Sequence, residues 1–281
     1  MKFFSKIYII IIFLLLNTPI LVLVLFSFNN TSNTGEFTGF SLYWYQELFR
    51  SADTLTALKN TLILAVSAAS ISTIIGTAAA VGIQKMKNKA LKGMVNSVTN
   101  IPMMNPDIVT GISMMLLFVF VGNLLQSEEK LNFVTLLIAH VTFCLPYVIL
   151  NVRPRLQQMD RSLPEAALDL GCTPLQSFFK VELPNIMSGI VSGFLMAFTL
   201  SLDDFVVSYF TVGSDFQTLP LLIYSMTKKV VKPDIYALSS LMIFAVLILL
   251  IISNVTGNKD QKQREQKSRR VKNRSEEVHV G

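Results

Sequence analysis

The chain is 281 residues long, 52% hydrophobic and only 15% charged, with a formal net charge of +6 and a mean hydropathy of +0.53. Soluble proteins carry about 25% charged residues, so an ordinary soluble enzyme or binding module is excluded. With two histidines and two cysteines there is no cluster to ligate a metal, no Ser/His/acid constellation, and no G-x-x-x-x-G-K-[ST] loop to cradle a nucleotide phosphate.

A membrane span needs about 20 predominantly apolar residues, and six stretches answer that description. They run roughly Ile7–Phe28, Thr61–Ile83, Ile108–Leu125, Phe133–Val152, Ile186–Leu202 and Ile235–Val255. Lys2 and Lys6 precede the first, like the basic start of a signal peptide, but its apolar run is too long and no small-x-small cleavage site follows. It reads as an uncleaved span. After it, Leu42-Tyr43-Trp44-Tyr45 reads as an interfacial aromatic belt, with a cation–π contact to a passing amine as the alternative. Asn105-Pro106-Asp107 reads as the N-cap and first two residues of the third span, its acid explained by the helix dipole. In the fourth span His140 reads as a satisfied packing residue and Pro146 as a kink.

Asp203 and Asp204 fall near the outer end of the fifth span. A carboxylate deep in a bilayer costs about 2.5–3.5 kcal/mol on insertion scales, so it should face a bundle interior or water. Adjacent helical residues point about 100° apart, so one of the pair at most faces a given path. The pair either caps the helix end or assists a cation.

Basic loops stay on the cytoplasmic side. With the N-terminus inside, only Arg50, Lys59, Lys130, Lys228, Lys229 and Lys232 of the 24 basic residues fall outside. Six spans with both termini cytoplasmic is the consistent solution. The net positive charge is then a topology signal, not a nucleic-acid signal. Cys144 and Cys172 lie on or near the reducing side, where no structural disulfide is expected.

Between the fourth and fifth spans lies a polar island, RSLPEAALDLGCTPLQSFFKVELP, Arg161 to Pro184. Ser162-Leu163-Pro164-Glu165 has the pattern of a capping box, and the helix it opens, Leu163 to Leu170, meets Gly171, a residue suited to a left-handed stop. Thr173-Pro174-Leu175-Gln176 is a second capping box. Its helix should end at about Glu182, because the residue before Pro184 resists helical geometry. Helices of about eight residues are marginal alone in water. Their apolar stripes, Ala166, Ala167 and Leu170 on one and Phe178, Phe179 and Val181 on the other, pack either on the protein's own loops or on a partner. Glu165 and Asp169 would be polar anchors at the edge of such a surface.

The spacing Glu165-Ala166-Ala167, Gly171, Val181, Leu183-Pro184 resembles the signature EAA-x3-G-x9-I-x-LP of ABC importer permeases, departing only by valine for isoleucine. It falls after the fourth of six spans, as that family requires. The resemblance implies an all-α, MetI-like type I importer fold. It implies that Glu165, Ala166, Ala167, Asp169, Gly171, Leu183 and Pro184 couple the chain to an ATPase. Ala139–Leu156, Thr199–Gly213 and Leu219–Leu238 resemble the spermidine/putrescine importer permeases. That likeness implies a polyamine substrate, a second permease, an ABC ATPase dimer that binds ATP and Mg, and an extracytoplasmic substrate-binding protein. The chain itself would carry no cofactor and would sit in lipid in a bacterial cell membrane. The expected organisation is one permease domain, 1–257, with the coupling loop at 161–184 and a basic cytoplasmic tail, 258–281.

Other readings fit less of the chain. A permease for another small cationic or unrelated solute keeps the loop. Thr211-Val212-Gly213 matches part of a potassium-channel filter, but Ser214-Asp215 follows where Tyr-Gly should. A secondary transporter should show internal repeats, and none is visible.

Overall fold

The computed structural model describes residues 2–31, 36–160, 162–214, 216–228, 234–248 and 251. Regular structure among them is helical: α1 (Lys2–Phe26), α2 (Tyr43–Arg50), α3 (Ala52–Lys85), α4 (Lys89–Met104), α5 (Asp107–Leu124) and α6 (Phe133–Gln158) come first. The short pair α7 (Ser162–Asp169) and α8 (Pro174–Ser177) follows, then a π-turn (Phe178–Glu182), α9 (Leu183–Asp203), α10 (Val206–Thr211) and α11 (Leu219–Thr227). α12 covers Asp234–Ile248. Five helical stretches are long and apolar enough to cross a membrane: Lys6–Phe26, Ala52–Lys85, Asp107–Leu124, Phe133–Gln158 and Pro174–Asp203. α12 covers the start of the sixth expected span. The end of that span and the basic tail lie outside the described residues.

Several boundaries differ from the sequence reading, each for a local reason. α3 begins at Ala52 rather than Thr61, because the Ser51 hydroxyl accepts from the Thr54 amide at 3.4 Å as an N-cap. Lys59 therefore lies on a helix. α4, which hydropathy alone did not mark, opens where the Asn88 side chain accepts from the Ala90 and Leu91 amides at 3.0 and 3.3 Å. Asn105 closes α4 instead of capping the third span: its amide donates to Ile101 O at 3.3 Å. Pro106 forces Asn105 into extended geometry, and the Pro106 carbonyl then takes the first bonds of α5, from Val109 and Thr110. α6 continues as one helix through both Pro146 and Pro154.

The chain forms two compact units. The first comprises residues 1–61 and 217–247, with Leu48, Ala57, Leu219 and Leu238 at its core. Thr61 Oγ1 donates to Ala57 O and accepts from the Leu219 amide at 2.7 Å. The expected aromatic belt is partly turned inward here. Trp44 Nε1 donates to Asn29 O at 2.9 Å, and the Tyr45 hydroxyl meets Ser27 Oγ and Ser240 Oγ at 2.8 and 2.7 Å. Tyr43 remains exposed.

The second unit, residues 62–216 with 248–281, is built on the packing of α6 against α9. Gly189, Gly193, Ala197 and Ser201 recur every four residues on α9, and all four are buried. A Cβ added at Gly189 would meet the Asn151 carbonyl at 2.9 Å and Val152 Cα at 3.2 Å, so glycine is required by the close approach of the α6 backbone. Small residues at this spacing let two apolar helices approach closely where burial from water supplies no driving force. Val148 and Val152 of α6, with Ala69, Ala80 and Ile83 of α3, complete the core.

Candidate functional site

Two places in the second unit hold the residues singled out by sequence. The first is the loop after α6. The helix α7 opens at Ser162, which lies within it, so the first capping box is not formed. The Asp160 carboxylate, two residues upstream, accepts from the Ser162 amide at 3.0 Å and caps the helix instead. That bond holds the exposed Asp160 carboxyl below the usual carboxylate range. The end of α7 is as expected: Gly171 adopts φ +88°, the Gly171 amide donates to Leu168 O and the Cys172 amide donates to Ala167 O. This paired pattern is the Schellman stop. The second capping box is also present, with Gln176 N to Thr173 Oγ1 at 3.3 Å and Thr173 N to Gln176 Oε1 at 3.1 Å. Ser177 Oγ donates to Pro164 O at 3.3 Å and ties α8 back onto α7.

The second short helix does not stop at Glu182. After α8 the ladder widens into a π-turn, in which Leu183 N–H reaches Phe178 O, and α9 runs on through Leu183 and Pro184. A widened turn relieves the clash and the missing donor that proline brings to a helix. The loop is thereby continuous with the α9 rod. Glu165, Ala166, Asp169 and Gly171 are exposed, whereas Ala167 is buried. The apolar stripes accordingly divide, with Leu170 86%, Leu175 71% and Phe179 61% exposed. Leu183 is half-buried and Pro184 exposed in the first turn of α9.

Sequence reasoning missed the partner of Glu182. Its carboxylate, on a side chain 6% exposed, meets Lys85 Nζ at 2.8 Å at the end of α3. Nearby, Arg153 Nη1 donates to Asn96 Oδ1 at 2.7 Å and links α6 to α4. Neither pair leaves a local signal, because the partners are far apart in the chain.

The second place is the break between α9 and α10, where the two aspartates part company. Asp203 ends α9 and is exposed. Asp204 adopts an extended conformation and its side chain is 9% exposed. Its Oδ1 accepts from Val207 N at 3.3 Å, and its Oδ2 accepts from Ser208 N and Ser208 Oγ, both at 2.8 Å. Asp204 is thus the cap of α10. His140, fully buried, places Nδ1 2.8 Å from Ser201 Oγ and Nε2 2.9 Å from Ser208 Oγ, which fulfils the expectation of a satisfied buried histidine. Gly213 is a packing glycine, since a Cβ there would overlap the Leu131 carbonyl. The Asp107 side chain sits in the first turn of α5. No group of three or more His, Cys, Asp or Glu residues that could hold a metal occurs among the described residues.

The chain has clear relatives. The model of a family described as binding-protein-dependent transport system inner membrane component matches residues 72–258. Over 253 residues the chain is 40% identical to the putrescine transport system permease protein PotI of Escherichia coli (strain K12), covering 90% of each. It is 37% identical over 258 residues to the spermidine/putrescine transport system permease protein PotC of Haemophilus influenzae, covering 92% of this chain and 98% of that one. A bacterial ABC transporter involved in the import of the acidic polysaccharide alginate shares the fold with a TM-score of 0.70 at 16% identity, over 93% of this chain and 95% of that one. An inward-facing MetNI methionine ABC transporter gives a TM-score of 0.54 at 14% identity, over 74% and 98%. The chain therefore belongs to the binding-protein-dependent transport system inner membrane components, the multi-pass permease subunits of ABC importers.

Proposed function

We propose that the chain forms half of the transmembrane pathway of an ATP-driven polyamine importer, with putrescine or spermidine as its substrate. The observation that carries the substrate class is the 40% identity to PotI over 90% of both chains. Charge is consistent with it. Asp203 offers an exposed carboxylate at the end of α9, and a carboxylate at the mouth of a path raises the local concentration of a di- or polycation. Asp204 is already engaged as a helix cap and contributes through the fold.

In this reading six spans place both termini and the α7–α8 pair in the cytoplasm, where Glu165, Ala166, Ala167, Asp169 and Gly171 seat against an ABC ATPase dimer. Leu183 and Pro184 stand behind them and pass the displacement into α9. The exposure of Leu170, Leu175 and Phe179 on an otherwise polar loop supports a docking role. Such short helices hold their shape only by packing. ATP and Mg belong to the ATPase. A homologous permease completes the pathway, and an extracytoplasmic binding protein delivers the substrate.

Uptake of radiolabelled putrescine by cells lacking this chain, with and without a plasmid copy, tests the substrate. Competition by other polyamines but not by neutral or acidic solutes is expected; competition by an unrelated solute alone would refute it. Glu165→Ala and Gly171→Pro should each lower uptake about tenfold, within the usual size of a coupling free energy, with insertion intact. Wild-type uptake in both would refute the coupling role. A C-terminal fluorescent-protein fusion, bright only when the fusion stays in the cytoplasm, tests the orientation.

A further inference from the structure

With Asp204 ionised and the imidazole neutral, the buried cluster around His140, in which Nε2 also lies 3.5 Å from Asp204 Oδ2, has one consistent bonding pattern. A carboxylate only accepts hydrogen bonds, so the single Ser208 hydroxyl proton goes to Asp204 Oδ2 at 2.8 Å. Ser208 Oγ must then accept at its 2.9 Å contact with His140, which puts the imidazole proton on Nε2. Nδ1 is left as an acceptor, and the Ser201 hydroxyl donates to it at 2.8 Å. Every donor in the chain of four residues has an acceptor, with the imidazole neutral. A buried network that is fully satisfied fixes geometry, and one that loses a member leaves unpaired groups at a cost comparable to a lost hydrogen bond or more.

The location gives this network its purpose. Ser201 lies in the last turn of α9, two residues before Asp203, and Ser208 lies in the first turns of α10. Between them the backbone is extended at Asp204, and the Asp204 side chain is largely buried while Asp203 is exposed. Side chains bond on both sides of this break: Ser201 and Ser208 to His140, and Asp204 to Ser208. His140, on α6, grips both sides.

We propose that His140 is a positioning residue for the transport path: as a neutral Nε2-protonated clamp it joins α9 to α10 and fixes the direction of the Asp203 carboxylate. The clamp itself is a statement about the fold; its bearing on transport rests on the polyamine reading above. A bulky aliphatic at position 140 fills the space but holds neither serine. Glutamine reaches roughly the Nε2 position and so can hold Ser208 alone.

Two measurements on the full chain, assembled with its partner subunits in membranes, decide the matter. The first is the labelling rate of Asp203→Cys by a membrane-impermeant cationic methanethiosulfonate, in a Cys172→Ser background. Introducing His140→Leu should change that rate by about tenfold, the factor carried by one or two lost hydrogen bonds. His140→Gln should give a smaller change, and it also covers the case in which the leucine variant fails to insert. An unchanged rate in the inserted variants overturns the clamp. The second is a double-mutant cycle on putrescine uptake with His140→Gln and Asp203→Asn. Non-additive losses, with the double variant no worse than about twofold below the poorer single one, are expected if His140 acts through Asp203. Multiplying losses overturn that link, as a merely structural histidine would weaken the protein independently. Wild-type uptake by Asp203→Asn alone refutes the role of Asp203 in the pathway, while the labelling rate still judges the clamp.

Discussion

Replacing Lys85 by methionine should destabilise the protein more than replacing its partner, Glu182, by glutamine. The two ends of this 2.8 Å ion pair differ in solvation: the Lys85 side chain is 58% exposed and that of Glu182 only 6%. Lys85→Met strands a carboxylate in the packed angle between the π-turn and the end of α3. Breaking a buried pair in this way costs about 3–5 kcal/mol, and we take roughly 3 here because one partner is open to water. Glu182→Gln leaves a lysine that stays hydrated, so the loss should be about 1 kcal/mol or less, in the range of exposed pairs. The double variant, with no charge left to strand, should fall near the glutamine variant and give a coupling of about 3 kcal/mol. Thermal or SDS-induced unfolding of the detergent-solubilised protein measures all three. Equal losses for the two single variants, or losses that simply add, would refute the argument from unequal solvation.

The α6–α9 contact predicts opposite signs for two glycine substitutions. Gly189→Ala should cost about 1–3 kcal/mol by overpacking against the α6 backbone, whereas Gly82→Ala in α3, where a Cβ meets nothing within 4 Å, should stabilise by roughly 0.5–1 kcal/mol; the same unfolding assay reads both. Asp204→Ala should cost about 1–3 kcal/mol by leaving the Val207 and Ser208 donors unpaired, while Asp203→Asn should leave the unfolding midpoint unchanged. The depressed carboxyl of Asp160 stabilises α7 above its unfolded pKa, near 3.9, and that contribution is lost as pH falls through the folded value. Hydrogen exchange at the Ser162 amide, corrected for its intrinsic rate, should quicken on acidification below about pH 4, and Asp160→Ala should abolish that dependence.

What could be read from sequence was what lies close together in the chain. Gly171 was legible because a helix stop with positive φ needs glycine, and the second capping box because both its halves lie within four residues. The first box was misplaced because Asp160 and Ser162 each satisfy the local rule, and the structure uses the earlier one. Pro184 was read as a stop by a rule that holds for an unstrained α-helix. The π-turn before it, together with the packed glycine face of α9, carries the helix through. The Lys85–Glu182 pair and the contacts of His140 with Ser201 and Ser208 join residues that only the tertiary fold brings together, so no window of sequence reveals them. The four-residue spacing of Gly189, Gly193, Ala197 and Ser201 was present to be read; it signals close helix packing wherever an apolar span carries it.

The π-turn at Phe178–Glu182 makes the interval between Gly171 and Pro184 an azimuth as well as a length. Each residue of an α-helix advances the chain by about 100°, and an i→i+5 turn holds one residue more than the α-helical repeat. Deleting a residue there would leave every exposed side chain of α8 chemically intact but swing it about a quarter-turn around the axis of α9. Insertions and deletions in this stretch therefore act as rotations of a crank, while substitutions only change what is mounted on it.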